Sequence, residues 1–273
     1  MSQDYRVYQQ AAEQMAIEAG NLLKEAYGRV SAREKGPGDL VTDADLASQR
    51  LVKKRISEHF PDHTLLAEEE GAVPDSSKPW RWIVDPLDGT INFAHGFPFW
   101  CVSIALEHQG KLVVGVVYNP LSGTTYSASL GQGTTRDGQP VGVSSARRLR
   151  DSLITTALPT DLSSEAELHL SYFRRFSSGT HSVRRTGSSA LNLAILASGG
   201  CEVCYAGFMH PWDAAAGVLL VQEAGGRVSG LEGESHNLYG HGILASNGLV
   251  HEESLQFLRE ARAQLPPMER GQV

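Results

Sequence analysis

The segment Trp82-Ile83-Val84-Asp85-Pro86-Leu87-Asp88-Gly89-Thr90 is an apolar run that ends in two acids, a proline, a glycine and a hydroxyl. This composition is chemically unusual. Pro86 fixes φ and removes a backbone N–H, so the Asp85 carboxylate, the Leu87 carbonyl and the Asp88 carboxylate can converge on one point instead of alternating across a strand. Three oxygens then face one cation. Gly89 allows close backbone approach, and the N–H groups of Gly89 and Thr90 can receive a phosphate group if they open a helical turn. Taken alone, an Asp-x-x-Asp-Gly run also reads as a strand followed by a polar turn.

Two further acidic sites stand out. Glu68-Glu69-Glu70 ends the strand predicted from Thr64. On a strand Glu68 and Glu70 share one side while Glu69 points the other way, and Glu68 is the member assigned to a site. The competing reading is a solvated face. Asp213 lies in His210-Pro211-Trp212-Asp213-Ala214-Ala215-Ala216-Gly217, where proline precedes a strongly helical run. It also fits an ordinary helix-start aspartate, which interacts well with the helix dipole.

Around these sites the pattern is α+β followed by α/β. Apolar positions at helical spacing predict a helix from Tyr5 to Tyr27, and a second helix opens behind Thr42 and ends at Pro61, after a Gly36-Pro37-Gly38 break. Strands are expected at Thr64 to Ala67, Trp82 to Val84, Val102 to Glu107, Val113 to Tyr118 and Thr124 to Ser129. Beyond residue 150 short strands alternate with helices, the clearest being Ser188 to Ala197, Ala214 to Glu223 and Leu249 to Gln264. The expected division is a lobe of residues 1–145 carrying the acidic loop and a lobe of residues 146–273 completing the site.

Composition narrows the function. The longest apolar run, Ala214 to Val221, is too short to span a bilayer. Thirty-one acids against 24 Lys and Arg give a net charge of −7, which disfavours a nucleic-acid scaffold and favours a small substrate. Three cysteines cannot build a disulfide framework, and the N-terminal residues show no basic segment followed by a hydrophobic one, so the reading is cytoplasmic. No Walker loop, Gly-x-Ser-x-Gly elbow or His-Glu-x-x-His helix competes for catalysis. Cys201 and Cys204 read as core residues, and Gly131-Gln132-Gly133 as a turn.

In their order and separation, Glu68-Glu69, Asp85 to Phe93 and Trp212 to Gly217 resemble the inositol monophosphatase family of the magnesium-dependent, lithium-sensitive phosphatase superfamily. The resemblance covers nearly the whole chain. Asp39-Leu40-Val41-Thr42 with Asp45 is similar to the family's N-terminal signature, and Ala245-Ser246-Asn247 to its C-terminal one. It implies a layered αβαβα sandwich of the sugar-phosphatase type, a homodimer, and magnesium-dependent hydrolysis of inositol monophosphate or a related small sugar or polyol phosphate. Glu68, Asp85 and the Leu87 carbonyl become ligands of a first magnesium, and Asp85, Asp88 and Asp213 of a second. Some family members add a third near Glu68 and Glu69. Glu68 and Thr90 would orient or deprotonate the attacking water, with Asp45 hydrogen-bonded to Thr90. Asp45 fits equally the third position of a capping box behind Thr42.

The implied substrate contacts are Asp88, Gly89, Thr90, Gly187, Ser189 and Asp213. The family's glutamate for ring hydroxyls, seven residues before the third aspartate, is replaced by Ala206 here, which implies a broad sugar-phosphate range. Phe93 favours the inositol-type branch over the nucleotide-bisphosphate branch. The alternatives are fructose bisphosphate, histidinol phosphate or adenosine bisphosphate as substrate, or a main role as an interaction protein in transcription or ribosome maturation.

Overall fold

In the computed structural model, which describes residues 4–29, 32–36, 39–70, 78–158 and 166–265, the first predicted helix is α1 (Arg6–Ala26). Its buried side, Ala12, Met15, Ala16, Ala19 and Leu23, repeats every three or four residues. A hairpin of β1 (Ala32–Gly36) and β2 (Asp39–Thr42) leads into α2 (Asp43–His59). Pro37 and Gly38, in the predicted break, lie outside the described residues.

Seven strands follow in one sheet, in chain order: β3 (Thr64–Ala67), β4 (Trp80–Asp88), β5 (Cys101–His108), β6 (Lys111–Asn119), β7 (Thr124–Ser129), β8 (Thr134–Arg136) and β9 (Gln139–Val141). Within this sheet, among the described residues, only β3 and β4 pair in parallel. A short helix, α3 (Thr90–Ala94), joins β4 to β5. The second sheet has the order β11-β10-β12-β14-β13, with β10 (Leu153–Ala157), β11 (Ser182–Arg185), β12 (Val203–Ala206), β13 (Arg227–Ser229) and β14 (Ile243–Ser246). Its helices are α4 (Ala166–Gly179), α5 (Ser189–Ala197), α6 (Pro211–Glu223) and α7 (His251–Ala263). The periodic reading missed α4, the β1/β2 hairpin and the three-residue strands β8 and β9.

Three apolar cores separate five layers. Ala12, Ala16 and Val52 of α1 and α2 pack on Trp82, Val84, Val102 and Val116 from one face of the large sheet. Its other face, with Ile83, Ala105 and Val117, meets α5 and α6, which also cover Cys204, Ala206, Ile243 and Ala245 of the small sheet. The outer face of the small sheet, with Ile154, Val203, Tyr205 and Leu244, is closed by Tyr172 and Phe176 of α4 and Leu255 and Leu258 of α7. The result is the αβαβα sandwich. Strands buried on both faces read as continuous apolar runs, which is why β4 looks unbroken in sequence up to Asp85.

The small residues of α6 set its position. A Cβ added to Gly115 of β6 would stand 2.6 Å from the Ala216 carbonyl oxygen, and one added to Gly217 would stand 2.4 Å from Leu193 Cβ of α5. The helix is therefore wedged between sheet and neighbour along its Ala-Ala-Ala-Gly run, which fixes where Asp213 sits.

The C-terminal signature is structural. Ser246 and Ser229 hydroxyls lie 2.8 and 2.9 Å from the two ring nitrogens of fully buried His251. Burial lowers the His251 pKa from 6.5 to about 4, so the native ring stays neutral. Below pH 6.5 the unfolded chain takes up a proton that the native chain refuses until about pH 4. Stability from this site is thus present above pH 6.5 and lost as the pH falls to 4. Urea denaturation of wild type and His251→Gln should show their stability gap shrink by on the order of 2 to 3 kcal/mol between pH 7 and pH 4. A pH-independent gap would remove His251 from the acid response.

Candidate active site

The register of β4 against β5 explains how two acids three residues apart reach one face. Asp85 pairs with Ser103 and Asp88 with Cys101, so Pro86 and Leu87 together oppose the single residue Val102. This is a β-bulge, and the extra residue restores the alternation that a spacing of three would break. Cys101 belongs to the inner core, and its Sγ lies 3.5 Å from Asp88 Oδ2. Leu87 takes the opposite side and is buried in the α1/α2 core.

Glu68 approaches from a neighbouring strand, and here the strand-alternation expectation fails. Glu68–Glu70 form a 3-10 turn, not a strand end. β3 stops at Ala67, whose partner is Val84. One more parallel pair would set Glu68 opposite Asp85, and like charges directly opposed destabilise a ladder. The chain leaves the sheet instead, with Glu68 half-buried beside the acids.

Asp213 reaches the same place from the first turn of α6, where its Oδ2 accepts the His210 N–H at 2.9 Å. Ser103 Oγ, opposite Asp85, donates to the Trp212 carbonyl at 3.3 Å and ties this helix start to β5. Asp85 Oδ1 accepts the Leu87 N–H at 3.0 Å. Asp88 is the most heavily engaged: Ser188 Oγ donates to it at 2.5 Å, the Ala190 N–H at 2.8 Å and the Ser189 N–H at 3.1 Å. It therefore stitches the large sheet to the start of α5.

Asp45 does both things that its position allowed. Oδ2 accepts the Thr42 N–H at 2.9 Å, completing the capping box, while Oδ1 accepts from Thr90 Oγ1 at 3.0 Å. Thr90 Oγ1 also stands 3.1 Å from the Leu87 carbonyl oxygen. Gly89, at φ 99°, precedes α3, and Gly187, at φ 88°, lies against Asn92. A Cβ on Gly187 would come within 2.7 Å of Asn92 Nδ2, which bridges the Thr186 and Phe99 carbonyls at 2.8 and 2.7 Å. Ala206 ends β12, fully buried between its register partners Ala157 and Ile243. Beyond it an exposed ring cluster leads to Asp213, with Phe208 and His210 at 4.7 Å, Phe208 and His241 at 5.5 Å, and Trp212 stacked on His210.

Burial pushes the Asp85 carboxyl well above the usual carboxylate range, and the negative charges of Glu68, Asp88 and Asp213 push it further. Asp213 is raised well above that range by burial, then by Asp88 and Glu68, against the pull of the His210 N–H. Asp88 is raised by burial, opposed by the hydrogen bonds from Ser188, Ala190 and Ser189. Among the described residues no group of three or more His, Cys, Asp or Glu side chains is drawn together closely enough to hold a metal ion as placed. Asp85, Asp88 and Asp213 each hold an oxygen against protein donors, so what exists is an open, mutually repelling acid set. Such a set fits a hard cation, which takes oxygen ligands and relieves the repulsion.

Sequence reasoning overlooked Ser48, Gln49 and Ser103, and the bond of the Ser188 side chain to Asp88. The one legible signal was α2, where Ser48 and Gln49 follow Asp45 at helical spacing on the same face. Cys201 and Cys204 are free and buried, as is Cys101. In the Gly131-Gln132-Gly133 turn, the Gly131 and Gly133 N–H groups donate to Glu223 at 2.8 and 2.9 Å.

The profile of the inositol monophosphatase family matches residues 4–264. An inositol-1-monophosphatase of Synechocystis sp. is 37% identical over 257 residues, spanning 93% of this chain and 90% of that protein. Nus factor SuhB of Escherichia coli K12 is 35% identical over 252 residues, spanning 91% and 94%. The structure of an inositol monophosphatase from Anabaena (Nostoc) sp. PCC 7120 superposes with a TM-score of 0.87 at 34% identity, covering 98% of this chain and all of that one. On sequence over nearly its full length and on its layered architecture, the chain belongs to the inositol monophosphatase family.

Proposed function

We propose that this chain hydrolyses the phosphate monoesters of small polyols and sugars, inositol monophosphate among them, with magnesium held by Glu68, Asp85, the Leu87 carbonyl, Asp88 and Asp213. The observation that carries the reading is the bulge in β4, which turns Asp85 and Asp88 to the face where Asp213 and Glu68 also raise the Asp85 pKa. As a member of its family the chain is a phosphoric monoester hydrolase. Magnesium, when bound, supplies positive charge to the phosphoryl oxygens and acidifies a water molecule. Thr90 Oγ1, whose hydrogen goes to Asp45, would accept a hydrogen bond from the attacking water, and the Glu68 carboxylate would take up its proton. Gly89 and Thr90 N–H groups face the phosphate. Asp88, Gly187 and Ser189 border the leaving alcohol. Ala206 offers it no acceptor, and the Phe208, His210 and His241 rings stand nearby instead, which supports a broad polyol range.

The similarity to a Nus factor supports a second role as an interaction protein. A pull-down with a variant that no longer binds metal and has lost activity separates the two, since an interaction role keeps its partner. Buried free cysteines accord with a reducing cytoplasm, and a homodimer is the expected assembly. Among the described residues no helix is long and apolar enough to cross a membrane.

Phosphate release from inositol, fructose, histidinol and adenosine phosphates tests the reading. Release should require magnesium, favour inositol monophosphate or a small sugar phosphate, and be inhibited by calcium, whose longer and looser coordination misaligns water and phosphate. Lithium should inhibit as well. Full turnover with a chelator present contradicts the magnesium assignment.

A further inference from the structure

We propose that Ser48 and Gln49 are positioning residues that hold the acid-bearing segments in register from α2. This rests on the functional reading above. The buried residues of α2 are Ala44, Asp45, Ser48, Gln49, Val52 and Ile56, a helical stripe whose second half is apolar. Its first half is polar apart from Ala44. Ser48 is fully buried and Gln49 is 6% exposed. Burying such groups is unfavourable unless each is hydrogen-bonded, and each partner here lies on an acid-bearing segment.

Ser48 Oγ donates to the Pro86 carbonyl at 2.8 Å, inside the bulge between Asp85 and Asp88. Gln49 Oε1 accepts the Glu69 N–H at 3.0 Å, in the 3-10 turn that carries Glu68. One turn earlier, Asp45 holds Thr90. Three consecutive contacts from a single rigid helix therefore reach the bulge, the glutamate turn and the start of α3. The β3/β4 pairing ends at Ala67, and the Gln49 contact ties the glutamate turn that follows to α2. Neither residue needs to touch metal or substrate. Their task is to keep a repelling set of carboxylates at the spacing that a cation requires. Partners of this kind behind metal ligands typically tune metal affinity by about 10- to 100-fold.

Magnesium is titrated calorimetrically into metal-free wild type, Ser48→Ala, Gln49→Met and Gln49→Glu, with Tm, kcat and KM for inositol monophosphate measured alongside. Ser48→Ala and Gln49→Met should bind magnesium about 10- to 100-fold more weakly, with kcat at limiting magnesium reduced in proportion and KM nearly unchanged. Gln49→Glu keeps the acceptor oxygen at the same reach and should bind at least as tightly as wild type. Ser48→Ala, the mildest change, decides the matter if Gln49→Met folds poorly. Wild-type magnesium affinity in Ser48→Ala and in folded Gln49→Met overturns the proposal. A wild type that binds no magnesium overturns the functional reading, and this proposal with it.

Discussion

Asp213→Asn is expected to lower kcat/KM by at least about a thousandfold, equivalent to some 4 kcal/mol of barrier, while the metal-free chain folds as well as wild type or better. The substitution keeps the shape and the Oδ acceptor for the His210 N–H. It removes one charge from a part-buried acid set in which burial, then Asp88 and Glu68, hold the Asp213 carboxyl above its usual range. For an acid whose native pKa is raised, the ionised form is strained at neutral pH, and removing the charge relieves that strain. The advantage of the variant should fade as the pH falls through the raised native pKa, where the wild-type carboxyl takes up a proton. Thermal melts with chelator at pH 7 and pH 5, paired with phosphate-release kinetics, provide the check. Near wild-type turnover, or a metal-free variant several degrees less stable, contradicts this role for Asp213.

Asp88→Asn should behave differently. Both oxygens of Asp88 accept from donors, Oδ1 from the Ser189 N–H and Oδ2 from Ser188 Oγ and the Ala190 N–H. A carboxamide must turn its N–H2 toward one of those sides, placing donor against donor at the start of α5. Leaving a buried donor unsatisfied costs about 1 to 3 kcal/mol, which lowers Tm by roughly 2 to 5 °C in a chain of this size. Activity and stability should therefore fall together at 88 and separate at 213. If the two variants melt alike, the link between Asp88 and α5 carries less of the structure than its hydrogen bonds imply.

The legible parts of this chain were those governed by a repeat or by special residue chemistry. Apolar periodicity located α1 within a residue at each end, and β3 and β7 matched their expected bounds. The acids were legible because Pro86 and Gly89 are out of place in an ordinary strand end. What composition could not show was the register. Nothing in the segment itself says that Pro86 and Leu87 oppose one residue of β5, yet that pairing brings Asp85 and Asp88 to a common face. The glutamate turn was misread for a related reason, since the end of β3 is decided by what Glu68 would meet across the ladder. Ser48 and Gln49 stayed hidden because a helix is located from its apolar side, and the deepest face of α2 is polar where it meets the acid loops. Ser188 and Ser103 act across long sequence separations that only the packed layers reveal.

Anomalous scattering from crystals soaked in manganese, which shares the oxygen-ligand preference of magnesium, tests the acid site most directly. The expected result is one or more peaks within about 2.5 Å of the Asp85 carboxylate, bridging toward Asp213 and Asp88, with the bridging peak lost in Asp213→Asn. No peak beside Asp85 at manganese concentrations that sustain phosphate release, or an unchanged pattern in Asp213→Asn, would contradict it.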